Sequence, residues 1–387
     1  MRRWPLLALA VGTATAASMA ALAPAQAAGR AAAQPGWRIW QVTGVNSATP
    51  DNPYDNYYSG ITALSKNDAW AVGDIAENTK QGTKLTVKRW TGRSWGQLSL
   101  GDASSALAGG GNIGASSATN ALVVGAGTSS SGLLRWNGKN WSVSHVTGAT
   151  LVNGATFSAT DAWAFGEASH TLGGYATHYN GRSWTKTSIP VVADMAGTVS
   201  AVGADDIWAV GVSAANPYGD TVETAYYNGR SWHAVPITNL QLPKNDSLYF
   251  PVVLALSAKN VWVYSWLQGF LPHAGIVPLS EVVLTHWNGK TWSRVTVPYA
   301  TGQSGYIASD GHGGIWLSAY STKGAPYLYH YNGEKWTKIA TPTVQGYSAA
   351  VFALAAIGGT TSVWAAGELM STANHSVSRA VIWKYGA

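Results

Sequence analysis

The chain has no cysteine. Disulfides, thiolate metal sites, a cysteine nucleophile and a lipoprotein anchor are therefore excluded. Charge is scarce, with Asp, Glu, Lys and Arg together at 11% of 387 residues. So little charge speaks against a helical chain. Lys and Arg do not cluster, and removing Arg2 and Arg3 with a signal would lower the formal charge from +6 to +4. That mild balance excludes a nucleic-acid binder, which needs a basic patch with stacking aromatics. No second long apolar run follows the N-terminal one, so no membrane span is expected after it.

What is abundant is Gly, with 44 residues, and Trp, with 20. The mixture points to short strands joined by tight turns. At the N-terminus Arg2-Arg3 precedes an apolar and small-residue run from about Leu6 to Leu22, and Ala25-Gln26-Ala27 follows as an A-x-A site. This reads as a secretory signal over residues 1–27, followed by a flexible leader over 28–36 and a single domain over 37–387. The mature protein is expected outside the cell, as a monomer.

Within the domain the same words recur. Asp161-Ala162-Trp163-Ala164-Phe165-Gly166 is followed by Tyr179-Asn180-Gly181-Arg182-Ser183-Trp184, and close copies begin at Asp68 and Asp206. Seven units are marked by Trp70, Leu122, Trp163, Trp208, Trp262, Trp316 and Trp364, with spacings of 52, 41, 45, 54, 54 and 48 residues. Each unit offers a small apolar strand, a turn with Asp or Asn, a Trp-Ala-Val-Gly strand, and a third strand ending in an aromatic before Asn-Gly. A fourth strand opens on Trp. Asn-Gly between alternating runs is a strong hairpin signal. Four antiparallel strands repeated seven times describe an all-β, seven-bladed β-propeller. The last unit stops after its third strand at Val381–Tyr385, and Trp37–Thr43 is a fourth strand without its first three. Pairing them closes the ring and removes exposed sheet edges.

Asn-Gly-x-Ser/Thr-Trp resembles the tail of the Asp-box repeat of bacterial neuraminidases. The Asp-before-Trp and Trp-Ala-Val-Gly words resemble secreted actinobacterial propeller proteins grouped with the kelch and galactose-oxidase-like propellers. The resemblance spans 37–387 and implies architecture, with the Asn-Gly turn as scaffold. It implies no particular activity, since propellers host binding modules and enzymes alike. A copper oxidase of the galactose-oxidase kind would need a cysteine cross-link that this chain cannot form.

The tryptophans are best assigned to scaffold. All but Trp4 and Trp266 fall at repeat positions, where large rings fill the seams between blades. His178, His286 and His330 share one repeat position in three blades and so do not make a metal site. Gly109, Gly111 and Gly114 match G-x-G-x-x-G, but no helix is expected after them. Arg93, Lys139, Arg182, Arg230 and Lys290 follow the turn glycines and read as a ring of solvated rim residues; the alternative is a rim that binds an anionic wall polymer. The segments expected as first strands, which should line the central channel, carry no charged residue. A sialidase would need an arginine cluster there.

Function is therefore sought on the face bearing the loops after second strands and between blades, which vary in length and sequence. Asp74, Glu167 and Glu368 are expected just after second strands. Asp74 and Glu368 belong to blades that meet at the closure, with Tyr54, Asp55, Tyr57 and Tyr58 between them. Carboxylates beside aromatic platforms suit sugars, or a Ca²⁺ held by Asp51, Asp55, Asp74 and Glu368. A solvated Tyr-rich loop is the alternative. Trp266 and Phe270 lie in an apolar stretch expected as a loop, an anchor pair for a partner or a fold-over of the blade top. The leading expectation is a non-catalytic extracellular protein binding a glycan or cell-surface polymer. The alternatives are a glycoside hydrolase or lyase using Asp55, Asp74, Glu167 or Glu368, and an extracellular protein-interaction scaffold.

Overall fold

The structure is a computed structural model. It describes residues 36–386 except 44–55, 77–83, 108–110, 127–130, 169–173, 191–193, 217–218, 239, 241, 243–245, 272–274, 299, 302–304, 322–325, 343 and 375–376. Seven antiparallel sheets stand in a ring, each running from an inner first strand to an outer fourth. In blade 1 the strands are Tyr57–Ser65, Asp68–Ile75, Lys84–Trp90 and Trp95–Leu98. In blade 7 they are Tyr347–Ala356, Val363–Ser371, Ser378–Tyr385 and Trp37–Thr43. The last pairs antiparallel with Ser378–Tyr385, so the expected closure of the ring holds. The first strands of neighbouring blades touch one another all round the ring and form the innermost layer. The first strand of blade 6 is broken into Ala300–Thr301 and Ile307–Ser309. Blade 4 begins earlier than expected, at Asp194, so the first strands do include one acidic position.

Each marker residue sits in the hydrophobic cluster between its own blade and the next. Trp163 packs with Ile207 and Ala225 of blade 4, Trp208 with Val261 and Val283 of blade 5, and Leu122 with Ala162 and Tyr175 of blade 3. All six marker tryptophans are buried. Burying a ring of this size contributes about 4–6 kcal/mol of transfer free energy before entropy is charged against it. This explains how a chain without cross-links holds a ring together.

The Asp or Asn before the marker has a definite job in four blades. In blade 3, His178 lies flat on Trp163 with ring centroids 4.3 Å apart, and Asp161 Oδ1 is 2.9 Å from its Nε2. Asn260 and Asp310 hold His286 and His330 over Trp262 and Trp316 in the same way. In blade 1 the side chain so held is Arg89, over Trp70 and bonded to Asp68. The repeated histidines are thus parts of the seams.

The Asn-Gly turns differ in detail from a two-residue hairpin. Tyr179 pairs with Trp184, which leaves a four-residue loop, Asn180 to Ser183. Asn180 Oδ1 accepts from the amides of Arg182 and Ser183, each at 3.0 Å. Gly181 has φ +91°, and a Cβ there would meet Thr160 of the neighbouring turn at 2.8 Å. The loop is therefore fixed by an Asn side chain as much as by the glycine. After Gly111 the chain enters the strand Asn112–Ser117, so among the described residues no helix follows these glycines.

Candidate functional site at the closure of the ring

The second-strand word ends in glycine for a physical reason. In blades 1, 3 and 7 the first strand carries a register shift that leaves one residue, Ser59, Val152 or Phe352, outside the pairing. Opposite these bulges stand Gly73, Gly166 and Gly367. A Cβ on any of the three would fall within 3.0 Å of the first strand's backbone. A bulge bends its strand and re-aims the extra side chain.

In blades 1 and 7 the bulge residues meet across the closure. Ser59 and Phe352 line a pocket of about 390 Å³ together with Tyr57, Tyr306 and Glu368. The Phe352 ring stands perpendicular to Tyr57 at 5.8 Å and lies 6.3 Å from Tyr306. Tyr57 donates its hydroxyl hydrogen to Asp74 Oδ2 at 3.1 Å, and Ser59 donates to the Gly111 carbonyl at 2.7 Å. Asp74 is buried, whereas Glu368 is half-buried on the pocket wall. The pocket therefore offers three aromatic faces, a carboxylate and a hydroxyl, drawn from blades 1, 6 and 7. Among the described residues lining it, Glu368 is the one acid.

The joint beneath this pocket is stitched by buried polar groups. Asn56 Nδ2 donates to the Ser378 carbonyl at 3.1 Å, its amide donates to Ser378 Oγ at 2.5 Å, and its Oδ1 accepts from the Ala76 amide at 2.7 Å. Thr43 of the closing strand shares a 3.0 Å hydrogen bond with the Tyr58 hydroxyl.

The structure sorts the expected site residues. Tyr57 lines the pocket with Glu368, while Asp74 is held behind Tyr57 by its hydroxyl and does not line it. The acids lie within second strands, directly after the bulge-facing glycines, and not in loops. Tyr58 is fully buried. Burial raises its phenol's pKa, with the Thr43 hydrogen bond opposing, so it is a joint residue and no ligand platform. Tyr54, Asp55 and Asp51 lie outside the described residues, and so does that part of the calcium reading. Among the described residues no group of three or more His, Asp or Glu is placed to hold a metal. Glu167 ends the second strand of blade 3, away from the closure. Trp266 and Phe270 lie in strand Asn260–Leu271, whose pairing with Gly275–Trp287 extends out to Leu271 and Gly275. Trp266 packs against the cluster between blades 5 and 6. The expected apolar loop is a long β-hairpin.

Phe352 and Tyr306 escaped sequence reasoning. The available signal was two large rings, Phe352 in the small-residue run Ala349-Ala350-Val351-Phe352-Ala353 and Tyr306 just before Ile307–Ser309, at the break in the first strand of blade 6.

No family model matches the chain, and no curated protein matches it. Solved structures do. A chain described as YCF48 bound to D1 peptide aligns with a TM-score of 0.53 at 11% identity, covering 90% of this chain and 98% of that one. The β-propeller domain of the Trilobed protease from Pyrococcus furiosus aligns at 0.52 and 9% identity, covering 86% and 94%. The Niastella koreensis GH74 enzyme aligns at 0.54 and 14% identity, covering 88% of this chain and 55% of that one. At such identities the likeness is one of fold. The Pyrococcus domain has an open velcro topology, whereas here Trp37–Thr43 closes the ring. Among the described residues no helix is long and apolar enough to cross a membrane.

Proposed function

We propose that this chain is a secreted, non-catalytic propeller that binds a glycan or cell-surface polymer in the pocket at the closure of blades 1 and 7. The observation that carries the reading is the convergence of Tyr57, Phe352 and Tyr306 with Glu368 and Ser59 around 390 Å³. That volume lies in the usual range of small-molecule sites, about 300–1,000 Å³. Aromatic faces take the apolar faces of sugar rings, and the carboxylate and hydroxyl take their hydroxyl groups. Ordinary glycoside hydrolysis needs two carboxyl groups facing each other across the substrate. Here Glu368 lines the pocket, and Asp74 has one oxygen engaged by Tyr57.

The test is a glycan array followed by calorimetry with wild type, Phe352→Ala and Glu368→Gln. Binding to at least one polysaccharide or wall fraction, weakened about tenfold or more by either change, is expected; tenfold corresponds to about 1.4 kcal/mol. No binding to any fraction refutes the reading. Release of new reducing ends, abolished in Glu368→Gln, would replace it with the hydrolase reading. Secretion is checked by sequencing the N-terminus of protein recovered from the medium, which should begin at Ala28.

A further inference from the structure

Most seams between blades are filled from one fourth-strand position, and one seam is left open there. Three residues after the opening tryptophan of the fourth strand, Leu98, Val235, Val295 and Ile339 pack into the seam between their own blade and the next. At the closure Trp40 occupies this place, 5.0 Å from Trp90 and 5.9 Å from Trp364. Blade 2 has Ser144 there, but Arg135 crosses the gap instead. Its guanidinium stacks on Tyr179 at 4.0 Å and donates to the Ala159 carbonyl. Blade 3 has Thr187, and its third-strand residue at the place of Arg135 is His178. That ring is held flat on Trp163 by Asp161 and does not cross. The seam between blades 3 and 4 consequently opens as a groove of about 520 Å³.

We propose that this groove is a second saccharide site, taking a sugar ring that carries a single carboxylate, a uronate. Its walls include the half-buried Tyr227 and Trp232 for the ring face, with the Thr187 and Ser231 hydroxyls for sugar hydroxyls, while Trp163 forms the buried floor under His178. The charged residues on its wall, Lys186 and Arg230, are both cationic. Lys186 already sits over Tyr175, 4.9 Å from the ring centroid, which leaves exposed Arg230 as the carboxylate partner. Arg matches a planar carboxylate with two parallel donors. Burial and the nearby Asp205 and Asp161 raise the pKa of the Tyr227 phenol, so it stays a donor. The same two acids oppose a densely charged polyanion and favour one carboxylate directed at Arg230. Arg230 thus differs from the other rim cations by standing beside an unfilled seam.

The site is separate from the pocket at the closure and is tested separately. The full chain is titrated with methyl glucuronide, short oligogalacturonates and methyl glucoside, followed by tryptophan fluorescence and calorimetry. Uronates should bind, and the neutral glucoside should bind at least about tenfold more weakly, since it lacks the carboxylate that the Arg230 guanidinium pairs. Arg230→Gln should remove the preference for the acidic sugar. Thr187→Trp, which copies the Trp40 filling of the closure seam, should abolish uronate binding while raising or preserving the denaturation midpoint. Phe352→Ala should leave uronate binding intact. Equal affinity for acidic and neutral sugars, undiminished binding in a folded Thr187→Trp, or no uronate binding at millimolar concentration would each overturn the proposal.

Discussion

Replacing Gly367 by alanine tests the link between the repeat word and the pocket. An added Cβ falls within 3.0 Å of the Ala350 carbonyl oxygen, a backbone atom that cannot swing aside. Either the bulge at Phe352 must shift or the second strand must. Overpacking of this kind costs ~1–3 kcal/mol. Alanine recovers ~0.4–1 kcal/mol by restricting the unfolded chain. The net expectation is a loss of about 1 kcal/mol, read as a lowered urea midpoint at unchanged slope. Gly96→Ala is the control, because it also lies in a strand but its nearest neighbour would be the Arg89 carbonyl at 4.0 Å. That variant should be neutral or slightly stabilised. Since Phe352 is the bulge residue, Gly367→Ala should also weaken binding at the closure pocket. A Gly367→Ala protein as stable as Gly96→Ala would refute the claim that the bulge dictates the glycine.

Asn56→Ala should lower stability by about 2–6 kcal/mol, since it orphans the Ala76 amide and the Ser378 carbonyl at ~1–3 kcal/mol each; the denaturation midpoint and faster proteolysis near the closing strand measure it. Acid should weaken the fold in two steps. Burial lowers the pKa of His286 from its ordinary 6.5, so its contribution is complete above about pH 6.5 and is lost as pH falls below it. His286→Tyr, which copies Tyr226 over Trp208, should remove that step from the pH dependence of the midpoint. Asp310 gives the second step. Burial would raise its pKa, but hydrogen bonds from His330 and from the His312 and Gly314 amides outweigh this and hold it below 3.8. Its contribution is present above about pH 3.8 and lost below, and Asp310→Asn should flatten that loss.

The sequence by itself determined the architecture. Seven repeated units, six marked by Trp and one by Leu122, force seven blades, because each unit's apolar face can be buried only against the next. An unpaired strand at each end forces closure. Periodicity likewise assigned nearly every tryptophan to a seam, since a ring repeated at one strand position must meet the same neighbour each time. Tyr57, Asp74 and Glu368 were legible because ring closure makes blades 1 and 7 adjacent. What tertiary structure alone decided lay in departures from the repeat. A bulge is one residue out of register, invisible in a pattern of small apolar residues, yet it turns Ser59 and Phe352 toward each other across the joint. Tyr58, one residue from Tyr57, lies buried in the core, because successive strand residues face opposite ways. The open seam of blade 3 depends on what Thr187 and His178 leave unfilled in space. Such a gap belongs to the packing of two blades and is written in no single repeat.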